Sequence, residues 1–122
     1  GIAVALLAIA GLLVLGFIGK QQEQQKLAAP MPGDIYIVKI AEFEPSFNQP
    51  TFPYSLFKIS SVEGQNVHFV YAKRVFGNIK SVRKSLSDDG AKSDFYAPEQ
   101  HRVDLATLKR RYDAGAIKEI KR

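Results

Sequence analysis

Cysteine is absent from this 122-residue chain, and with it go thiol nucleophiles, iron–sulfur ligation, thiolate zinc sites and any disulfide that would staple a small fold. The absence leaves the compartment open, because a cysteine-free chain survives equally well inside and outside the cytosol. Histidine is almost as scarce. His68 and His101 are too few for a His-based metal site. His68 lies on a strand-like run, opposite in parity to Val67, Phe69 and Tyr71, and His101 lies in what reads as a polar loop. The chain contains neither a GxxxxGK[ST] phosphate loop nor a GxGxxG fingerprint, and no Ser–His–Asp order stands out. Glu42/Glu44 and Asp88/Asp89 are its close carboxylate pairs. Both fall in loop-like stretches, whereas glycosidase or metal chemistry needs carboxylates that converge across a cleft. These residues argue against an enzyme: no catalytic residue, no metal site and no cofactor is expected.

Charge is missing from one place above all. Residues 2–19 read IAVALLAIAGLLVLGFIG, eighteen positions with neither a charge nor a side-chain hydrogen-bonding group. As an α-helix they rise about 27 Å, close to the roughly 30 Å of a bilayer's hydrocarbon core. Helix is required in lipid, where every backbone N–H and C=O needs an internal partner. A cleaved signal peptide has a shorter apolar stretch and ends in a small-x-small site. The nearest candidate here, Lys26-Leu27-Ala28-Ala29, puts Leu27 at the −3 position and Pro30 just after the cut. An uncleaved, single-pass anchor over residues 1–19 is the preferred reading, with the lipid bilayer as partner. Lys20 and Lys26 follow the span, which taken alone favours a cytoplasmic domain. The chain opens with Gly, so basic residues ahead of the span are expected to be missing, and the domain is placed outside the cytoplasm, in the periplasm.

Residues 20–33 read as a spacer. Gln21–Lys26 is polar and helix-permissive, so the anchor helix is expected to run on for a turn or two. Pro30, Pro32 and Gly33 then stop it and form a short, semi-rigid linker. The domain proper spans 34–122. Ile35–Ile40 is dense in β-branched and aromatic residues and reads as a strand with apolar side chains on both faces. Ala41–Pro53, with three prolines and three phenylalanines, reads as an irregular loop. Tyr54–Val62 and Gln65–Tyr71 flank Glu63-Gly64 as a β-hairpin. Ile79–Leu86 fits either a third strand or a helix, and the strand is preferred. Phe95-Tyr96 starts a short strand or packs on the sheet. Asp104 caps a helix from Leu105 to about Ala114 with Gly115 in the C-terminal capping position, and Ile117–Ile120 closes the chain as a strand. The fold class is α+β, mainly β: an N-terminal transmembrane helix, then a small antiparallel sheet or SH3-like half-barrel with one C-terminal helix.

The stretches GDIYIVK, YSLFKISSVEGQNVHFVYAKR and DLATLKRRYDAGAIKEIKR, taken in that order, resemble small bacterial membrane-anchored proteins. In these a Gly-Asp-aromatic strand opens the domain and a helix-Gly-Ile-x-x-Ile-basic ending closes it. The resemblance covers most of residues 33–122, implies the fold and carries no assigned activity.

The net charge of +5 discriminates poorly among partners. Lys73, Arg74, Lys80, Arg83 and Lys84 gather around the middle turn, with Tyr71 and Phe76 among them, and would suit an anionic lipid surface better than nucleic acid, which a membrane anchor makes an awkward ligand. Phe43, Phe47, Phe52 and Tyr54, in and beside the proline loop, are the candidate contacts for another protein, or else they complete the core. The function expected is that of a membrane-anchored, non-enzymatic protein-binding module, for example an immunity or accessory protein of a toxin or secretion system. The alternative is a lipid-facing scaffold subunit of a larger membrane complex.

Overall fold

The runs of β-branched and aromatic residues become the strands of one antiparallel sheet. The computed structural model describes residues 15–47 and 50–122. Its strands are β1 (Ile35–Lys39), β2 (Tyr54–Glu63), β3 (Asn66–Tyr71), β4 (His101–Asp104) and β5 (Ile117–Lys121), in the spatial order β4-β3-β2-β1-β5. Among the described residues β4 and β5 form the two edges of the sheet. Among the described residues four α-helices accompany it: α1 (Leu15–Ala28), α2 (Ile40–Phe43), α3 (Ile79–Asp89) and α4 (Leu105–Asp113).

Both faces of the sheet are covered, which explains why β1 and β2 carry apolar residues at both parities. On one face Tyr36, Val38, Phe57, Ile59, Phe69 and Tyr71 pack with Leu108 of α4 and Leu27 of α1. On the other face Ile37, Leu56 and Ala72 pack with Val82 of α3, Phe76, Phe95 and Tyr96. The first core is built around Phe57. Tyr36 stacks on its ring at 5.0 Å, and Phe43, Phe69 and Tyr71 meet it at 5.5, 4.2 and 5.9 Å.

The β2–β3 hairpin turns at Gly64-Gln65, between the paired residues Glu63 and Asn66. Gly64 has φ +61, while among the described residues none other than glycine has a positive φ, the signature of a turn with glycine at the first central position. Helix α4 begins and ends as its residues dictate. The Asp104 carboxylate accepts from the Thr107 N–H at 2.7 Å, and at the other end Gly115, with φ +83, lets its own N–H reach the Tyr112 carbonyl and the Ala116 N–H reach the Arg111 carbonyl. That pair of bonds is a Schellman stop.

Two expectations from the sequence are corrected. Ile79–Leu86 is helical: Asn78 accepts from the Ser81 N–H at 2.8 Å as an N-cap, and Val82 is fully buried while Lys80, Arg83 and Lys84 are exposed, so the three-to-four spacing of Ile79, Val82 and Leu86 outweighs two β-branched residues. His101 is not in a loop. It opens β4, opposite Phe69, and β4 escaped notice because a four-residue edge strand with alternate residues exposed looks like polar loop. Phe95 ends a single 3-10 turn (Ser93–Phe95) and Tyr96 bridges to Ala72, so this stretch packs on the sheet without adding a full strand.

Helix α1 does continue through QQEQQK, and its end is docked on the domain. Leu27 is buried in the first core, the Tyr112 hydroxyl donates to Glu23 at 3.0 Å and the Lys26 ammonium reaches the Ile120 carbonyl at 3.4 Å. Past the helix, Asp34 is fully buried. Its carboxylate takes Nε and Nη2 of Arg122 at 2.9 and 3.0 Å and the Met31 N–H at 3.0 Å, and Arg122 also donates to the Ala29 carbonyl. The segment read as a spacer is therefore clasped to the last residue of the chain. Among the described residues no helix is long and apolar enough to cross a membrane. Most of the proposed anchor, residues 1–14, lies outside them.

Candidate functional site

A cleft of about 510 Å³, open to solvent, lies where β3 and β4 meet the segment after α2. Its apolar walls include Ile40, Phe47, Val75 and Ala72, and its polar groups are those of Glu44, Tyr71, Glu99 and His101 together with Lys73, Ser46 and Ser55. Strand pairing explains how two of them meet. Phe69 and His101 are direct cross-strand partners, so His101 lies on the same face as Phe69 and Tyr71. The imidazole stacks on Phe69 at 5.6 Å and meets the edge of Tyr71 at 4.8 Å. Glu44 is brought in by α2, whose last turn closes with the Glu44 N–H on the Ile40 carbonyl at 2.8 Å.

Within the cleft the Tyr71 hydroxyl donates to Glu44 Oε1 at 3.2 Å. Burial of the Tyr71 ring raises its phenol well above the usual range, the Glu44 charge and hydrogen bond add to this, and Arg111 partly opposes it. The hydroxyl is thus held as a donor. His101 Nδ1 stands 3.7 Å from Glu44 Oε1 and its Nε2 3.9 Å from Glu99 Oε2, both outside hydrogen-bonding distance. Among the described residues no three His, Asp or Glu side chains converge as a metal site.

The aromatics read as candidate contacts separate. Phe43 is buried in the first core, held against Phe57 and under the Arg111 guanidinium at 4.8 Å. Phe47 is half-buried and lines the cleft. Tyr54 is half-buried against the second core, and Phe52 is 45% exposed.

The basic residues separate as well. Lys73 and Arg74 are exposed beside a smaller cleft of about 290 Å³ that also holds Asp89, Lys92 and Asp94, so acid sits beside base there. Arg83 is bound to Glu119 of β5 through Nε at 2.8 Å and through Nη2. Lys80 and Lys84 stand exposed on α3.

Sequence reasoning found Glu44 and His101 separately, as loop residues without a role, and missed their meeting. The available signal was parity: once β4 is recognised as pairing with β3, His101 falls on the face of Phe69 and Tyr71. No protein-family model matches the chain, and neither a curated protein nor a solved structure is significantly similar to it.

Proposed function

We propose that the chain is a single-pass membrane protein that presents a small, non-enzymatic, protein-binding domain at the bilayer surface, on the extracytoplasmic side. The observation that carries this reading is the continuity of α1. Leu15–Gly19, the end of the apolar run, and the segment docked on the domain belong to one helix. An anchor leading into such a helix would deliver the domain to the bilayer in one pose, with its cleft at a set height.

A binding role is supported by the cleft, which combines an apolar wall with a few oriented polar groups, as recognition sites do. Phe47 is the contact residue placed on the cleft wall, Tyr54 and Phe52 lie on the chain just beyond it, and Phe43 supports the site from within the core. An immunity or accessory protein of a toxin or secretion system is a concrete form of such a module. The exposure of Lys73, Arg74, Lys80 and Lys84 favours a second reading, a lipid-facing scaffold subunit of a larger membrane complex.

The test is capture by the full-length chain, extracted in detergent from membranes of its own host. A bound protein is expected to withstand high salt, to be lost with Phe47→Ser or Glu44→Lys, and to be kept with Met31→Ser. Capture indifferent to both cleft substitutions sinks the protein-binding reading. Association with anionic lipid that salt or Lys80→Glu/Lys84→Glu abolishes, with no protein retained, favours the scaffold.

A further inference from the structure

The direction of α1 determines which end of the sheet lies nearest the apolar run. Glu23 meets Tyr112, near the C-terminal end of α4, and one turn past Lys26 the helix has reached Ala29, beside Arg122. Arg122 and Asp34 mark the far end of the sheet, where β1 begins and β5 finishes. Tyr112, followed by the stop at Gly115 and Ala116, marks the near end, because the Ala116 carbonyl accepts from the Lys39 N–H at the finish of β1. The chain therefore runs down α1 away from the apolar segment and returns along β1 towards it. Four residues separate Gly19, where that segment stops, from Glu23, a helical rise of about 6 Å.

What else occupies the near end follows from hydrogen bonding and register. Lys39 pairs with Tyr54, the Ile40 N–H donates to the Pro53 carbonyl, and Tyr54 bridges to Phe76. The Pro50–Pro53 turn accordingly projects from this end, with Phe52 45% exposed. Met31, the other large apolar side chain so exposed among the described residues, belongs to the far end, where its N–H meets Asp34. Lys73 and Arg74, on the segment leading from β3 to Phe76, add exposed cations near the same end. An aromatic tip with basic neighbours, one helical turn from an apolar span, fits the interfacial layer of a bilayer, where aromatic side chains sit at headgroup level and cations meet anionic lipid.

We propose that the Pro50–Pro53 turn is a second membrane contact, with Phe52 resting in the headgroup layer of the bilayer entered by the apolar run. The inference rests on the anchor reading above, and it assigns Phe52 to lipid and leaves the cleft beside Phe47 to a protein. The domain would then touch the surface at two points, the helix and the turn, and could not swing about the helix axis.

Because the chain has no cysteine, single-cysteine variants of the full-length protein report position cleanly. Leu12→Cys, Met31→Cys, Thr51→Cys and Phe52→Cys are each labelled with an environment-sensitive fluorophore in vesicles of phosphatidylcholine and phosphatidylglycerol, and quenched by lipids that carry a nitroxide near the headgroup or deeper in the acyl chain. Thr51→Cys leaves Phe52 in place and covers a defect in the Phe52 variant. The expected result is quenching at 12 by the deeper nitroxide, at 51 and 52 by the shallow one, and none at 31. Quenching at 12 with positions 51 and 52 as unaffected as 31 overturns the turn contact and leaves the anchor standing. No quenching at 12 overturns the anchor and the inference together.

Discussion

Two polar clusters of the domain differ in every respect that separates structure from recognition. The Asp34–Arg122 clasp is closed: its carboxylate has no exposure, and its oxygens are taken by two guanidinium nitrogens and a backbone N–H at 2.9 to 3.0 Å. The Glu44–His101–Glu99 cluster is open, with one hydrogen bond, from Tyr71, and with imidazole–carboxylate separations of 3.7 and 3.9 Å at the mouth of a cleft. A buried charge must be satisfied by its own chain, because leaving it unpaired costs several kcal/mol. A cluster at a cleft mouth still has water for a partner and keeps capacity for a ligand. The clasp belongs to stability, and the cleft is the place to which binding is proposed.

The sharpest way to break that division is to open the clasp. Arg122→Ala should cost about 2 to 3 kcal/mol, towards the lower end for a broken buried pair because solvent screens an arginine side chain that is 41% exposed. The urea midpoint of the detergent-solubilised chain should fall accordingly. Amide exchange should accelerate across residues 22–33, where Arg122 holds the Ala29 carbonyl. If the midpoint falls and exchange in that stretch is unchanged, the clasp does not hold α1 to the domain.

A smaller effect tests the element least legible in the sequence. Asn78→Ala removes the cap of α3 and should cost about 1 kcal/mol, whereas a strand over the same residues would have no cap to lose. The lesson of α3 is that the residue before an ambiguous run decides it better than the run itself. The strands β1, β2, β3 and β5 were legible because Ile, Val, Phe and Tyr are concentrated in them, and α4 because both of its stop signals are local. The clasp and the cleft were not legible, for a physical reason. Asp34 and Arg122 are 88 residues apart, and Glu44, Tyr71 and His101 come from three separate elements. Such pairs are joined by sheet register, and one arm of that register, β4, has too few buried residues to announce itself.

The Arg83–Glu119 pair lies between clasp and cleft in character, and pH tests it. The Arg83 hydrogen bond holds the Glu119 carboxyl below its ordinary value of 4.5, against the opposing effect of burial. A carboxylate with a lowered folded value binds fewer protons in the folded chain than in the unfolded one, so its contribution is complete above pH 4.5 and is lost as pH falls through the folded value. Arg83→Gln should therefore lower stability at neutral pH, where the pair's contribution is complete, and flatten the fall below pH 4.5, so that variant and parent converge in acid. An unchanged acid limb in urea titrations would mean that the pair is solvated and carries no stability.

The smallest expected change in stability belongs to Glu44→Gln. The Tyr71 hydroxyl keeps an acceptor in the glutamine carbonyl, so the cost should stay below about 1 kcal/mol, the net worth of one hydrogen bond. The same substitution removes one of the two carboxylates facing His101 and the negative charge at the mouth of the cleft. If the cleft recognises a partner through that charge, Glu44→Gln should weaken capture of the partner while the urea midpoint barely moves, a separation that Arg122→Ala cannot produce. A midpoint shift comparable to that of Arg122→Ala would place Glu44 among the groups that hold the fold together, and the division between a closed structural cluster and an open binding one would be lost.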